Sequence, residues 1–213
     1  MPTLSEADSK ALLSRYGVTV PDEAVAATPA EAATAAARIG FPVAVKLCGP
    51  AIAHKTERGL VHLGLRDEAA VQAAAGAVLA AATPADGPVG VLVSRMVRGA
   101  RELIAGAAHD PQFGPCVMLG VGGVLAELTG EVVFRLAPLT GADADELIDD
   151  LRPASLLGPV RGEPAVDRAA LAATLTGLGR LITSDPRVRS VDCNPLIVAE
   201  GAPVAVDALV ELA

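Results

Sequence analysis

Lys46 closes the apolar run FPVAVK, where a charge is out of place. An ammonium at the end of a buried strand can hold a phosphate as a point charge while its stem stays packed. The competing reading is a strand-end lysine that reaches to water. Eight residues further on, His54-Lys55-Thr56 lies in the loop CGPAIAHKTERG, between Gly49-Pro50 and Gly59. A neutral imidazole is a nucleophile near neutral pH and can carry a phosphoryl group for a short time. A surface histidine beside a surface lysine is the alternative. His62, in an expected strand, and His109, before a turn, read as packed or solvated side chains.

Two further sets complete the chemistry. Gly120-Val121-Gly122-Gly123 follows an apolar strand, so its amides can approach a phosphate closely; a plain tight turn has the same composition. It matches neither the P-loop nor the dinucleotide fingerprint. Asp192 and Asn194 are two apart, so on a strand they share one face. Asp207 ends the run AVAVD, and a hairpin can bring it to Asn194. Such hard oxygens, completed by phosphate and water, suit Mg²⁺. An Asx-turn at Asp192 and Asn194 with a cap at Asp207 is the structural alternative. No G-x-S-x-G is present, and Cys48, Cys116 and Cys193 adjoin apolar strands as packing residues.

The elements that must position these groups are legible in part. Ser5 caps a first helix to Tyr16, with Asp8 three residues on and Gly17 as the stop. Val18–Val20 reads as extended. Thr28, Pro29 and Glu31 start a second helix that Gly40 ends. Strands are expected at 43–47 and 60–65, then a helix from Asp67 to about 82. The second half reads as strands at 89–97, 102–108, 116–119 and 132–137, and helices at 142–151 and 167–183. Strands at 188–192, 196–199 and 203–206 close the chain, with Pro195 breaking the ladder.

The 213 residues carry 17 basic against 25 acidic side chains, a net charge of −8. No basic stripe for nucleic acid is visible, and no run of about 20 apolar residues could span a membrane. Three widely spaced cysteines favour a reducing compartment, and no signal peptide precedes the first helix, so a cytoplasmic protein is expected. Three Phe, one Tyr and no Trp leave the core to Ala, Val and Leu.

In this order, FPVAVK, GPAIAHKTERG, VLVSRMVRGARE, DPQFGP…GVGGVLAE, VFRLAPL and VDCNPLIV…AVDAL resemble the ATP-grasp subunit of ADP-forming acyl-CoA (acetate–CoA) synthetases, and more distantly the β subunit of succinyl-CoA synthetase. The resemblance runs from Leu4 to Leu212. It implies an α+β ATP-grasp fold, two α/β lobes enclosing a nucleotide cleft, with residues 18–93 as the small lobe and 1–17 with 94–213 as the large one. It implies ATP/ADP and Mg²⁺ as ligands. By the same resemblance Lys46 contacts the phosphates, Ser94, Met96 and Val97 present backbone groups to adenine, and Glu102 holds the ribose. Gly120, Gly122, Gly123 and Arg135 lie near the phosphates, and Asn194 and Asp207 bind the metal. His54 relays the phosphoryl group, with Asp192 orienting a phosphohistidine. The chain departs from the HK[ST]D-x-GGV pattern of such relatives, having Glu57 for Asp and Leu60 for the second Gly, and it carries Ser94 where many have Glu. No CoA-binding fingerprint is found, so a CoA-binding α subunit or a fused domain is implied, in a hetero-oligomer. Two other readings stand beside this one: a different ATP-grasp ligase without a phosphohistidine, and a non-catalytic nucleotide-sensing domain attached to an acyltransferase.

Overall fold

The computed structural model describes residues 2–52, 55, 58–123 and 131–213. His54 therefore lies outside the described residues, as do 124–130, which follow the glycine loop. The chain forms two compact units, one of residues 2–8 and 21–96, the other of 9–20 and 97–213. These bounds differ from the expected lobes, because residues 2–8 group with the smaller unit. Local bonds explain it: the Thr3 hydroxyl donates to Pro50 O, and Glu6 pairs with Lys46 and Lys55.

The smaller unit contains strands β1 (Glu23–Ala26), β2 (Val43–Cys48), β3 (Val61–Leu65) and β4 (Gly90–Arg95) in the order β1-β4-β2-β3, all antiparallel. Helices α2 (Pro29–Ile39) and α3 (Glu68–Ala80) belong with it. Thr28 caps α2 by accepting from the Glu31 amide at 3.2 Å, and Asp67 caps α3 by accepting from the Ala70 amide at 2.8 Å. Gly40 ends α2 at φ +89°, a left-handed backbone that needs glycine. The core is built from Ala32, Ala36, Val43, Val45, Leu47, Val71, Ala75 and Val93. Val43, Val45 and Leu47 therefore turn to the helices, and strand alternation sends Lys46 and Cys48 to the opposite face of β2.

Helix α1 (Glu6–Ser14) is capped by Ser5, whose hydroxyl accepts from the Asp8 amide at 3.1 Å. The larger unit holds strands β5 (Arg101–Asp110), β6 (Gly114–Val121) and β7 (Val132–Leu136), then helices α4 (Gly141–Asp150) and α5 (Arg168–Ser184). Strands β8 (Val188–Ala199), β9 (Ala202–Ala205) and β10 (Ala208–Leu212) follow. The sheet order is β10-β8-β5-β6-β7, with β9 also on β8, again antiparallel throughout. One face is covered by helix: Leu171, Leu175 and Leu178 of α5 are fully buried, and a methyl placed on Gly179 would meet Val117 of β6 at 3.5 Å.

Three elements differ from expectation. β1 has no counterpart among the expected strands, since Glu-Ala-Val-Ala has little strand preference; pairing with β4 makes it a strand. β10 was not foreseen. β8 runs unbroken through Pro195, because the ladder asks little of that residue: the β5 pairing shifts register between Leu103 and Ala105, where it passes Asn194 and Pro195.

Candidate functional site

In the smaller unit the site starts at Lys46. All six residues of β2 are buried, and the Lys46 side chain is 9% exposed. It does not extend to water. Its Nζ donates to Glu6 Oε1 at 2.6 Å, and Lys55 Nζ donates to Glu6 Oε2. A buried ammonium of this kind must be paired, and the Glu6 carboxylate, 4% exposed, supplies the pairing. Burial pushes the neighbouring Cys48 thiol up, against the lowering effect of the Ala7 amide and the Ser5 side chain. Nearby, Arg58 makes a two-pronged bond to Asp86 at 2.8 and 2.7 Å, which fixes the far end of the loop that carries Lys55. That guanidinium is the first cause holding the Asp86 carboxyl far below the usual carboxylate range.

Ser94 is buried in β4, opposite Glu23 and Ala44. In the segment after it, the Arg95 amide donates to Asp22 O at 2.9 Å and the Met96 amide to Pro42 O at 3.1 Å. Those two amide donors are committed to main-chain partners. Val97 itself is half-buried and opens the larger unit.

In the larger unit the expected residues sort by sheet face. Directly paired residues of an antiparallel ladder point the same way. Asp192 is paired with Gly106, Gly106 with Met118, and Met118 with Phe134. Glu102 and Ile104 share that face by alternation along β5, and so does Asn194 along β8. Gly120 joins them through its pairing with Ile104. The Gly122 amide donates to Glu102 O at 2.8 Å. Gly123 has φ +62°, and a methyl there would stand 2.8 Å from Glu102 Oε2. The glycines thus let the Glu102 carboxylate lie close over the loop main chain.

Asn194 and Asp207 are brought together. Ala208 pairs with Cys193 and Ala205 with Leu196, so Val206 and Asp207 fall opposite Pro195 and Asn194. The Val206 amide donates to Pro195 O at 3.2 Å. Desolvation by surrounding protein, and then the charge of Asp207, push the Asp192 carboxyl above the ordinary range. Cys193, fully buried between the two polar residues, has its thiol pushed up to about 12, chiefly by burial, and is inert at neutral pH. The donor set fits Mg²⁺: hard oxygens, few protein ligands, and carboxylates whose repulsion a cation relieves. Among the described residues no group of three or more His, Cys, Asp or Glu side chains forms a metal cage.

The Asp192 environment carries its own prediction. Its folded-state proton affinity exceeds that of the unfolded chain, so the unfolded chain releases the proton first as pH rises. Stability is therefore lost as pH climbs from the ordinary aspartate range through the raised folded value. Asp192→Asn is expected to raise the Tm near neutral pH, with the gain shrinking as pH falls towards the ordinary range. Thermal melts across pH decide it; an unchanged or lower Tm at neutral pH contradicts the charge argument.

Arg135 falls on the other face of the sheet. It pairs with Val117, on the helix-covered face, away from Asp192 and Glu102. Its Nη2 meets Asp150 Oδ2 at 2.6 Å and Glu146 Oε2 at 3.8 Å, both on α4. Strand alternation puts it there, and two carboxylates of α4 answer its charge.

Three residues were not anticipated. Glu6 and Lys10 read as ordinary polar positions of α1, though their four-residue spacing beside buried Leu13 was a sign that they lie on an inner stripe. Lys10 is fully buried, its Nζ 3.5 Å from Val206 O, next to Asp207. Arg101, 2% exposed, donates to Gly158 O at 2.7 Å and to Pro164 O, while Glu163 Oε1 accepts from the Ala100 amide at 2.7 Å. These bonds tie the 156–164 segment to the start of β5.

The family described as "ATP-grasp domain" matches residues 2–212. The β subunit of ADP-forming acetate–CoA ligase I from Pyrococcus furiosus is 36% identical over 208 residues, 96% of this chain and 90% of that one. The ADP-forming 4-hydroxybutyrate–CoA ligase of Nitrosopumilus maritimus is 36% identical over 93% of this chain, which spans 29% of that longer protein. Acetyl-coenzyme A synthetase 1 of Ca. Korarchaeum cryptofilum, solved with coenzyme A, Ca-AMPCP and HgCl⁺, superposes with TM-score 0.92 at 34% identity, covering 100% of this chain and 94% of that one. A second structure of that protein, with coenzyme A and Mg-AMPPCP, has its phosphohistidine segment pointing towards the nucleotide-binding site; it gives TM-score 0.83 at 34% identity over 98% and 92% of the two chains.

Proposed function

The chain belongs to the ATP-grasp family, and from that premise we propose that it is the nucleotide-binding β subunit of an ADP-forming acyl-CoA ligase. The reaction is ATP + carboxylate + CoA ⇌ ADP + phosphate + acyl-CoA, with the phosphoryl group carried on histidine. Support comes from relatives of that activity aligned along nearly the whole chain. The observation that carries the reading to residues is the β8 register that sets Asn194 against Asp207 beside Asp192.

Phosphoryl transfer needs positioning and charge neutralisation more than covalent work by the protein. Lys46 supplies a fixed positive charge for phosphate oxygens, and its pairing with Glu6 holds it in one geometry. Asn194 and Asp207 hold Mg²⁺, which when bound neutralises phosphate charge. Glu102 accepts from ribose hydroxyls, and the Gly120, Gly122 and Gly123 main chain lines the approach to the phosphates. Met96 and Val97 offer backbone groups to adenine. His54 takes the phosphoryl group, and Asp192 is assigned as the acid that fixes its imidazole tautomer. Arg135 has no part in this scheme.

A CoA-binding partner is part of the proposal. The relatives include both β subunits and longer chains of which this one spans about 30%. The partner, whether a separate subunit or a fused domain, brings the CoA and acyl sites. No helix among the described residues is long and apolar enough to cross a membrane. Three free cysteines favour a reducing compartment, and we place the protein in the cytoplasm. The test is whether Mg·ATP leaves an acid-labile phosphate on His54 once a CoA-binding partner is present.

A further inference from the structure

One carboxylate joins two lysines in the smaller unit. Glu6 Oε1 accepts from Lys46 Nζ at 2.6 Å, and Glu6 Oε2 accepts from Lys55 Nζ. All three side chains are withdrawn from water, with exposures of 4% for Glu6, 9% for Lys46 and 14% for Lys55. The two lysines differ in their setting. Lys46 is fixed on the central strand β2, between β4 and β3. Lys55 stands in the loop between β2 and β3, next in sequence to His54. The Leu60 amide donates to Lys55 O at 2.9 Å, and Arg58 is anchored on Asp86, so the loop is held at its far end by other bonds. At Lys55 its side chain is held by Glu6.

A lysine has much rotamer freedom to lose, and burying its charge is unfavourable without a partner. A carboxylate whose two oxygens are shared by a strand lysine and a loop lysine fixes the distance between them.

We propose that Glu6 is a positioning residue for phosphoryl transfer: it registers Lys55, the residue next in sequence to His54, against the phosphate-binding Lys46. This rests on the nucleotide-binding reading of Lys46 and His54. Small displacements of reacting groups reduce rate far more than affinity, by up to about 10²-fold for roughly 1 Å. Loss of the shared carboxylate should thus act on transfer and leave nucleotide affinity largely intact.

The experiment uses the full chain with its CoA-binding partner. Two quantities are measured: the Kd of Mg·ATP by calorimetry, and the single-turnover rate at which acid-labile phosphate appears on the chain. Glu6→Gln and Lys55→Met are each expected to slow that rate about tenfold or more, with Kd within about threefold of wild type. The double variant should be within about threefold of the slower single one, because both break the same link. Glu6→Asp, which keeps the charge, should recover part of the rate. Single variants that turn over within threefold of wild type overturn the proposal, as do single effects that multiply in the double variant. Should circular dichroism show Glu6→Gln unfolded, Lys55→Met decides alone, since it leaves the Lys46–Glu6 pair in place. A wild-type complex that binds no Mg·ATP and forms no acid-labile phosphate sinks the underlying reading instead.

Discussion

Lys46→Met is expected to lower ATP-dependent turnover by roughly 10²–10³-fold, the loss seen when one preorganised electrostatic contact to developing charge is removed. The reason lies in where β2 puts the ammonium. Its stem is packed in a fully buried strand, and its head is held at 2.6 Å by Glu6, so no reorganisation is needed when phosphate arrives. Methionine keeps the stem volume and removes only the charge. Folding should survive, because Glu6 retains Lys55 as a partner. The measure is ADP release in the reconstituted complex, with circular dichroism as the folding control. Turnover within threefold of wild type would remove Lys46 from the phosphate site.

Asp207→Asn and Asn194→Ala are expected to cost about 10²-fold in turnover at fixed Mg²⁺, with the Asp207 variant needing at least about tenfold more Mg²⁺ for half-maximal rate. Asp207 sits at the bend between β9 and β10, and the pairing of both strands with β8 places it against Asn194. Each supplies one oxygen donor. Removing the carboxylate also takes away a charge that raises the Asp192 carboxyl, so the Asp207→Asn protein should hold Asp192 closer to the ordinary range. Chelation of Mg²⁺ should abolish wild-type turnover. A wild-type Mg²⁺ dependence in Asp207→Asn would place the metal elsewhere; loss of turnover without a shifted Mg²⁺ dependence would mark Asp207 as structural.

Much of this was legible in the residues. Thr28-Pro29 and Asp67 marked helix starts because a side-chain oxygen answers an unpaired amide there, and the structure has both caps. Lys46 stood out because a charge closes an apolar run. The Asp192, Asn194 and Asp207 cluster was readable from strand alternation plus a short return. What was not readable depended on pairing partners. β1 has the composition of a helix, and only the open edge of β4 makes it a strand. The face to which Arg135 points follows from its register with Val117, which no local pattern contains. Glu6 was invisible as a site residue because its partners lie 40 and 49 positions away.

The central claim is that this chain holds Mg·ATP so that its phosphoryl group passes to one histidine. The most direct measurement is intact-mass and acid-labile phosphate mapping after the full chain is mixed with Mg·ATP and its CoA-binding partner. The account predicts one acid-labile, alkali-stable phosphate on His54, lost in Lys46→Met and discharged by ADP. A complex that makes acyl-CoA at full rate with His54→Ala, or that carries its phosphate on another residue of this chain, would contradict it.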